Sequence, residues 1–457
     1  MSKASLDTLI EVSPGETRAA RMDQDGLLHE LLLDRVGQAS LVGGIYAGRI
    51  VRIEKGMDAA FVDIGLGEPA LMNKAKGLAE GKNLIVQVSR DGRDGKGPAV
   101  TRNLSLLDRY LAYTPGRKGL NWARAVGKGR DRARLEDLVG ELLDGREGYS
   151  VRGPAVVAEG KNLIATIERL EQRWEDMQEQ FRADKSPRCL EAPISLIDRL
   201  LRDADAEARF AIDDRVQFMR IEKMVAQDMP DLAEGLLFHK GPEQIFDVAG
   251  VEEQIDEAVS RTVSLRGGGS MSFDHTEAMT VIDVNMGAGT KQGDDAIFQV
   301  NRRAAETVAR QIILRNIAGL IVVDFISMRD KARAKKLVEI LRARFRDDAR
   351  HTDVLGLTAG GLIEITRQRE GITLAQQLTE VRPEEVRVHP VAQACAILRL
   401  AIRMKGAGKP TAVASGPVME ALNGPLSAGM EEATRRLGQP IILEEGQDST
   451  PPVVEMR

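Results

Sequence analysis

In the second half of the chain, two short segments, AMTVIDVN and GLIVVDFIS, each run through near-continuous apolar residues. Each then presents one carboxylate, Asp283 or Asp324, near its carboxyl end. Apolar runs of this length read as buried strands. Between them an amphipathic pattern predicts a helix roughly from Asp294 to Arg315, stopped by the turn Asn316 to Gly319. Strand, helix and strand in that order predict two parallel strands joined by a right-handed crossover. Parallel strands end on the same edge of a sheet, where open α/β sheets bind ligands, so Asp283 and Asp324 should converge. Carboxylates brought together repel unless a hard cation or a shared proton compensates, and magnesium takes oxygen ligands while keeping several waters. Asn285, two residues beyond Asp283, shares its face and could orient a metal or a phosphate. By spacing alone the commoner role of such residues is a strand-end Asp that caps the next turn, so both readings stand at this point.

The elements around these residues must come from more than one domain. A chain of 457 residues exceeds the usual single core, which predicts two to four domains. Hydrophobic content of 43% is enough for packed cores and excludes wholesale disorder. Cys189 and Cys395 lie too far apart for a disulfide framework or a zinc-ligand spacing, which fits a reducing cytoplasm. Neither an export signal nor an apolar run of membrane-spanning length is present, so a cytoplasmic protein without a membrane segment is expected. The net charge of −5 weighs mildly against a nucleic-acid partner. Its 64 basic residues can nevertheless gather on one face.

Along the chain, residues 6–34 read as two extended runs joined by the turn Asp23-Gln24-Asp25-Gly26. From Gly43 to about Pro115, short β-branched stretches alternate with Gly-rich turns, the pattern of a small barrel. Residues 116–215 carry basic turns, an amphipathic stretch near 134–144 and a helix over 162–184. That helix repeats Ile164, Ile167, Leu170, Trp174 and Met177 at core spacing. Residues 191–260 alternate short strands and helices. After about 380 a small α/β tail follows over 384–446, with a Gly/Ala/Lys-rich turn at 405–409, and the last ten residues are expected to fray.

The run GGGSMSFDHTEAMTVIDVNMGAGTK, followed by NRRAAETVARQIILRNIAGLIVVDFISM and later LIEITRQR, resembles the catalytic core of the ribonuclease E/G family. YAGRIVRIEKGMDAAFVDIG and GKGPAVTRNLSLLDRYLAYTP are similar to that family's OB-type RNA-binding barrel, and the amino-terminal hairpin to its RNase H-like subdomain. The resemblance implies a multidomain α/β and β fold. An RNase H-like subdomain (1–40 and 216–277) would enclose an OB-type barrel (41–115) and a 5′-sensor region (116–215). A DNase I-like α/β catalytic subdomain (278–380) and a small α/β carboxyl-terminal domain (381–457) would follow.

The activity implied is magnesium-dependent endonucleolytic hydrolysis of single-stranded RNA to 5′-phosphate and 3′-hydroxyl products, in processing of messenger or ribosomal precursors or in decay. Asp283 and Asp324 match the family's magnesium ligands, and Asn285 its supporting asparagine near the scissile phosphate. Glu277 and His275 are outer-shell candidates, although His275 reads more simply as a turn residue. In the barrel, Phe61 matches an aromatic that stacks a base, with Tyr46, Arg49, Arg52 and Lys55 as further RNA contacts. Where the family carries Gly-Phe-Leu-Pro, this chain has Pro69-Ala70-Leu71-Met72, so a second aromatic is missing. The family's Arg-Thr pair for a 5′-monophosphate is matched by Val151-Arg152-Gly153-Pro154, which keeps Arg152 and lacks the threonine, and Arg124 is a second basic candidate there. The family's Cys-Pro-x-Cys zinc link is replaced by the cysteine-free GITLAQQLTEVRPEEV, so no zinc and no zinc-linked tetramer are expected. A homodimer would rest on other contacts, through the tail. These departures also motivate an alternative: a weakly catalytic or non-catalytic RNA-binding protein on the same scaffold.

Overall fold

The structure is a computed structural model that describes residues 7–92, 96–287, 293–346, 348–382, 385–446 and 453–457. Ala288–Lys291 of the GAGTK stretch, Pro383 and Glu384 of the cysteine-free segment, and 448–452 of the tail lie outside the described residues. The chain divides into two compact units, one spanning Leu33–His239 and the other Ala4–Leu32 with Lys240–Arg457. Among the described residues no helix is long and apolar enough to cross a membrane.

The first unit contains a closed five-stranded barrel. Its strands are Ile45–Glu54, Ala59–Asp63, Ala70–Asn73, Ala99–Thr101 and Asn83–Arg90, and pairing of the last with the first closes the ring. Ile50, Val62, Met72, Val86 and Val88 fill it. Gly48 lets the long strand pass the barrel core, since a Cβ there would come within 2.7 Å of Val62. Beyond the barrel, helices Arg130–Leu143 and Gly160–Ala183 bury Leu135, Val139, Leu163, Ile167, Leu170 and Met177. The buried stripe of the longer helix passes through Leu163, whereas Ile164, expected in the core, is 43% exposed.

In the second unit, six strands are ordered Thr262–Ser264, Ser270–His275, Met279–Asn285, Gly319–Asp324, Ile363–Arg367 and Thr352–Leu357. Only Met279–Asn285 and Gly319–Asp324 run parallel, as the strand–helix–strand pattern predicted. Helices Asp294–Leu314 and Lys331–Arg344 pack on one face, where Ile282, Val284, Ile321 and Val323 meet Ala304, Val308, Ile312 and Leu341. The opposite face carries Ser270, Ser272, Asp283, Asn285, Asp324, Glu364 and Thr366, none of them buried.

Two sequence expectations are corrected. The first extended run is two strands, Asp7–Ser13 and Glu16–Met22, because Pro14 and Gly15, the latter at φ +85°, make a hairpin turn inside it. At the other end, Val453–Met456 is a strand paired with Pro410–Ala414, and Arg457 exchanges backbone hydrogen bonds with Lys409, so these residues do not fray.

Candidate active site

The parallel register pairs Asp283 directly with Asp324. Residues in register on adjacent parallel strands project to the same face with backbones about 4.8 Å apart. Both carboxylates therefore sit side by side on the polar face, at the carboxyl ends of their strands. Asp283 is half-buried and Asp324 exposed. Asn285 Nδ2 donates to Asp283 Oδ2 at 2.6 Å, fixing the rotation of that carboxylate. Among the described residues no third acid, histidine or cysteine joins them as a ready-made metal cage.

The backbone behind the pair is held by residues that sequence reasoning passed over. Asn301, fully buried on helix Asp294–Leu314, donates to Ile326 O at 2.7 Å and accepts from Ile326 N at 3.1 Å, clamping the chain two residues after Asp324. The signal was present in the pattern, because a polar residue occupies a position of the helix's apolar stripe. Gly269 and Gly287 let two turns touch: a Cβ on Gly269 would lie 2.8 Å from Asn285 O, and one on Gly287 2.9 Å from Gly269 N.

His275 and Glu277 are not part of this site. The antiparallel register sets His275 opposite Thr280, with Glu277 in the following turn, at the end of the strand away from Asp283. Three residues of strand separate the two positions by about 10 Å. His275 Nδ1 instead lies 3.0 Å from Thr280 Oγ1, and its desolvation followed by the nearby Arg315 charge lowers its pKa from the ordinary histidine value.

On the barrel, Phe61 is partly exposed, with the Arg52 guanidinium 4.4 Å from its ring centroid and Leu71 as its cross-strand neighbour. Arg49, Arg52 and Lys55 are largely exposed to solvent. Tyr46 is a correction: it is 3% exposed within the barrel core, so it offers RNA no surface. Its strand is covered on both sides, by Asn83–Arg90 and by Arg188–Glu191.

The turn at Arg152 also differs from a simple phosphate fork. Nη1 donates to Asp108 O at 2.5 Å, Arg109 O at 3.3 Å and Arg202 O at 3.3 Å, while Nη2 pairs with Asp203 at 2.5 Å. Most of the guanidinium is thus engaged within the chain. Arg124 remains exposed on a short helical turn, Arg124–Val126, that packs beside Gly153. The segment that replaces the zinc link forms the capped helix Leu374–Leu378 and the hairpin strands Thr379–Arg382 and Glu385–Val388.

Comparison with known proteins places the chain in a family. The Ribonuclease E/G family model matches residues 105–370. The chain is 31% identical over 474 aligned positions to ribonuclease G of Escherichia coli K12, covering 96% of this chain and 97% of that one. It is 30% identical to ribonuclease G of Haemophilus influenzae, over 83% of this chain and 82% of the relative. Against ribonuclease E of Synechocystis the identity is 31%, over 75% of this chain and 54% of the relative.

Proposed function

The chain belongs to the ribonuclease E/G family and is an endoribonuclease, and from that premise we propose that it hydrolyses single-stranded RNA with magnesium held by Asp283 and Asp324. The products carry 5′-phosphate and 3′-hydroxyl ends, and the setting is RNA processing or decay in the cytoplasm. The observation that supports this most is the in-register pair, Asp283 against Asp324, with Asn285 bonded to the first. Two carboxylates without a third suit magnesium, which fills its remaining positions with water and phosphate oxygens. When bound, the cation would stabilise negative charge building on the phosphate and promote ionisation of the attacking water. Asn285 holds Asp283 in one rotation and keeps a second amide N–H to offer a phosphate oxygen. Asn301 fixes the backbone beyond Asp324, and Phe61 with Arg49, Arg52 and Lys55 grips the unpaired strand.

The cation and product assignments are tested on a short A/U-rich RNA with magnesium or with chelator, followed by end-group analysis of the fragments. Cleavage that persists in chelator, or fragments ending in 2′,3′-cyclic phosphate, would refute them. The non-catalytic alternative draws on Pro69–Met72 and on the engaged Arg152, but similarity to ribonuclease G along nearly the whole chain outweighs both.

Asn301→Ala is expected to lower turnover about 10- to 100-fold, the usual scale for a lost outer-shell support. It should also raise the magnesium concentration needed for half-maximal rate, a shift that simple loss of folded protein would not produce. Phe61→Ala is expected to weaken single-strand binding roughly 5- to 100-fold, the range for one lost base stack. Turnover at saturating RNA should stay near its original value, so a change confined to turnover would remove Phe61 from the binding surface.

A further inference from the structure

We infer that residues 117–134 form a second RNA-binding surface, an electrostatic ledge that holds phosphates along the strand whatever group ends the RNA. This rests on the reading of the chain as a nuclease of single-stranded RNA. Within this stretch stand seven cations, Arg117, Lys118, Arg124, Lys128, Arg130, Arg132 and Arg134, against the single acid Asp131. That local excess occurs in a chain whose net charge is −5. An ordinary solvated face interleaves both signs, whereas here the following turns of the helix carry only acids, Glu136, Asp137 and Glu141, so the positive excess is confined to residues 117–134.

The charges are available. All seven except Arg132 are exposed, and Lys118, Arg124, Lys128 and Arg130 have no carboxylate partner among the described residues. Arg132 alone pairs with an acid, Glu136 at 2.7 Å, and it also lies 3.9 Å from the Trp122 ring centroid. That indole therefore has one face already covered, which leaves charge rather than stacking as the means of grip.

The stretch is also fastened in place. Asn121–Trp122 pairs in parallel with Tyr149–Val151, Ala123 N donates to Val151 O at 2.8 Å, and Arg134 Nη2 donates to Val156 O at 2.5 Å. These contacts set Asn121–Val126 and Arg134 beside the turn that begins at Arg152, whose own guanidinium is bound to carbonyls and to Asp203. A ledge of separate, solvated cations beside an occupied arginine fits repeated backbone phosphates better than one terminal phosphate. Backbone contacts of this kind act through counterion release and carry no sequence preference.

The test measures affinity for a 3′-labelled single-stranded A/U RNA, with either a 5′-monophosphate or a 5′-hydroxyl, by fluorescence anisotropy across a potassium chloride series. Asp324→Asn serves as the non-cutting background, with and without Lys118→Gln, Arg124→Gln, Lys128→Gln and Arg130→Gln together. Each single-strand phosphate contact contributes about 0.7 to the slope of log affinity against log salt. The fourfold variant should therefore lose about 3 from that slope and bind roughly a hundredfold more weakly at 0.1 M salt. Both RNAs should show the same loss, with thermal unfolding unchanged. An unchanged slope would overturn the ledge, and so would a loss confined to the 5′-monophosphate RNA, which would describe an end pocket. Loss of binding to phosphatidylserine vesicles with RNA affinity intact would overturn it in favour of a membrane surface. Cleavage by the unaltered chain reports separately on the proposed function: RNA bound with a steep salt slope but left uncut would fail that reading and sustain the ledge.

Discussion

Asparagine in place of Asp324 is expected to cut turnover on single-stranded RNA on the order of a thousandfold at saturating magnesium, the scale of losing one group that stabilises transition-state charge. Thermal stability should move by less than about 1 kcal/mol, because Asp324 is exposed and no hydrogen bond or ion pair of its side chain exists among the described residues to be broken. Asp283→Asn should behave alike, and the double variant little worse than either, as expected of two carboxylates proposed to hold one ion. Rates equal to the unaltered enzyme in magnesium, for either single variant, would end the paired-aspartate mechanism.

Removing Asp348 should instead act through stability. Its carboxylate accepts from Arg367 Nε at 2.7 Å, from Arg367 Nη2 at 3.0 Å and from Thr352 Oγ1 at 2.7 Å, in a pair whose side chains are 2% and 1% exposed. Asp348→Ala leaves the Arg367 charge buried without its partner, a loss of about 3–5 kcal/mol. Arg367 Nη1 also donates to Ile317 O and Asn316 Oδ1, so the turn that launches the Asp324 strand loosens with it.

The pH dependence follows from the same contacts. Burial by itself raises the Asp348 pKa, but the hydrogen bonds from Arg367 and Thr352 outweigh it and hold the group below the ordinary aspartate value. A depressed carboxylate contributes stability above its unfolded pKa, about 3.9, and loses it as pH falls through the folded value. Calorimetry at pH 7, 5 and 3.5 should therefore show a full gap between unaltered and variant protein at neutral pH that narrows below about pH 4. A gap independent of pH would remove the ion pair as its cause.

Local order is what the residues themselves disclosed. The apolar runs ending in Asp283 and Asp324, the helix between them and the parallel relation of the two strands follow from short-range periodicity, and the helix bounds Asp294–Leu314 fall within one residue of expectation. The barrel was likewise legible from strand and turn spacing. The finer subdomain scheme came from resemblance, and the two compact units are a coarser division than its six segments.

Errors arose where a distant segment decides exposure or occupancy. Tyr46 looked available because alternation reports one strand, yet closure of the barrel places it among the core residues. His275 and Glu277 were near Asp283 in sequence, but an antiparallel turn carries them to the far end of the strand. Arg152 is not among these errors: the fold supplied only its partners, carbonyls near 108 and 202 and the Asp203 carboxylate, and 5′-end sensing there stays a proposal.

Sequence by itself thus determined the two strands and the aspartates at their ends, because strand period and chain direction are properties of neighbouring residues, while the family was read from resemblance over longer runs. Tertiary structure decided the rest: the exact register that sets Asp283 against Asp324, the Asn285 bond to Asp283, the Asn301 bonds beyond Asp324, and which cations stay exposed. Those depend on atoms brought together from far along the chain, where hydrogen bonds and burial, rather than periodicity, choose the partner.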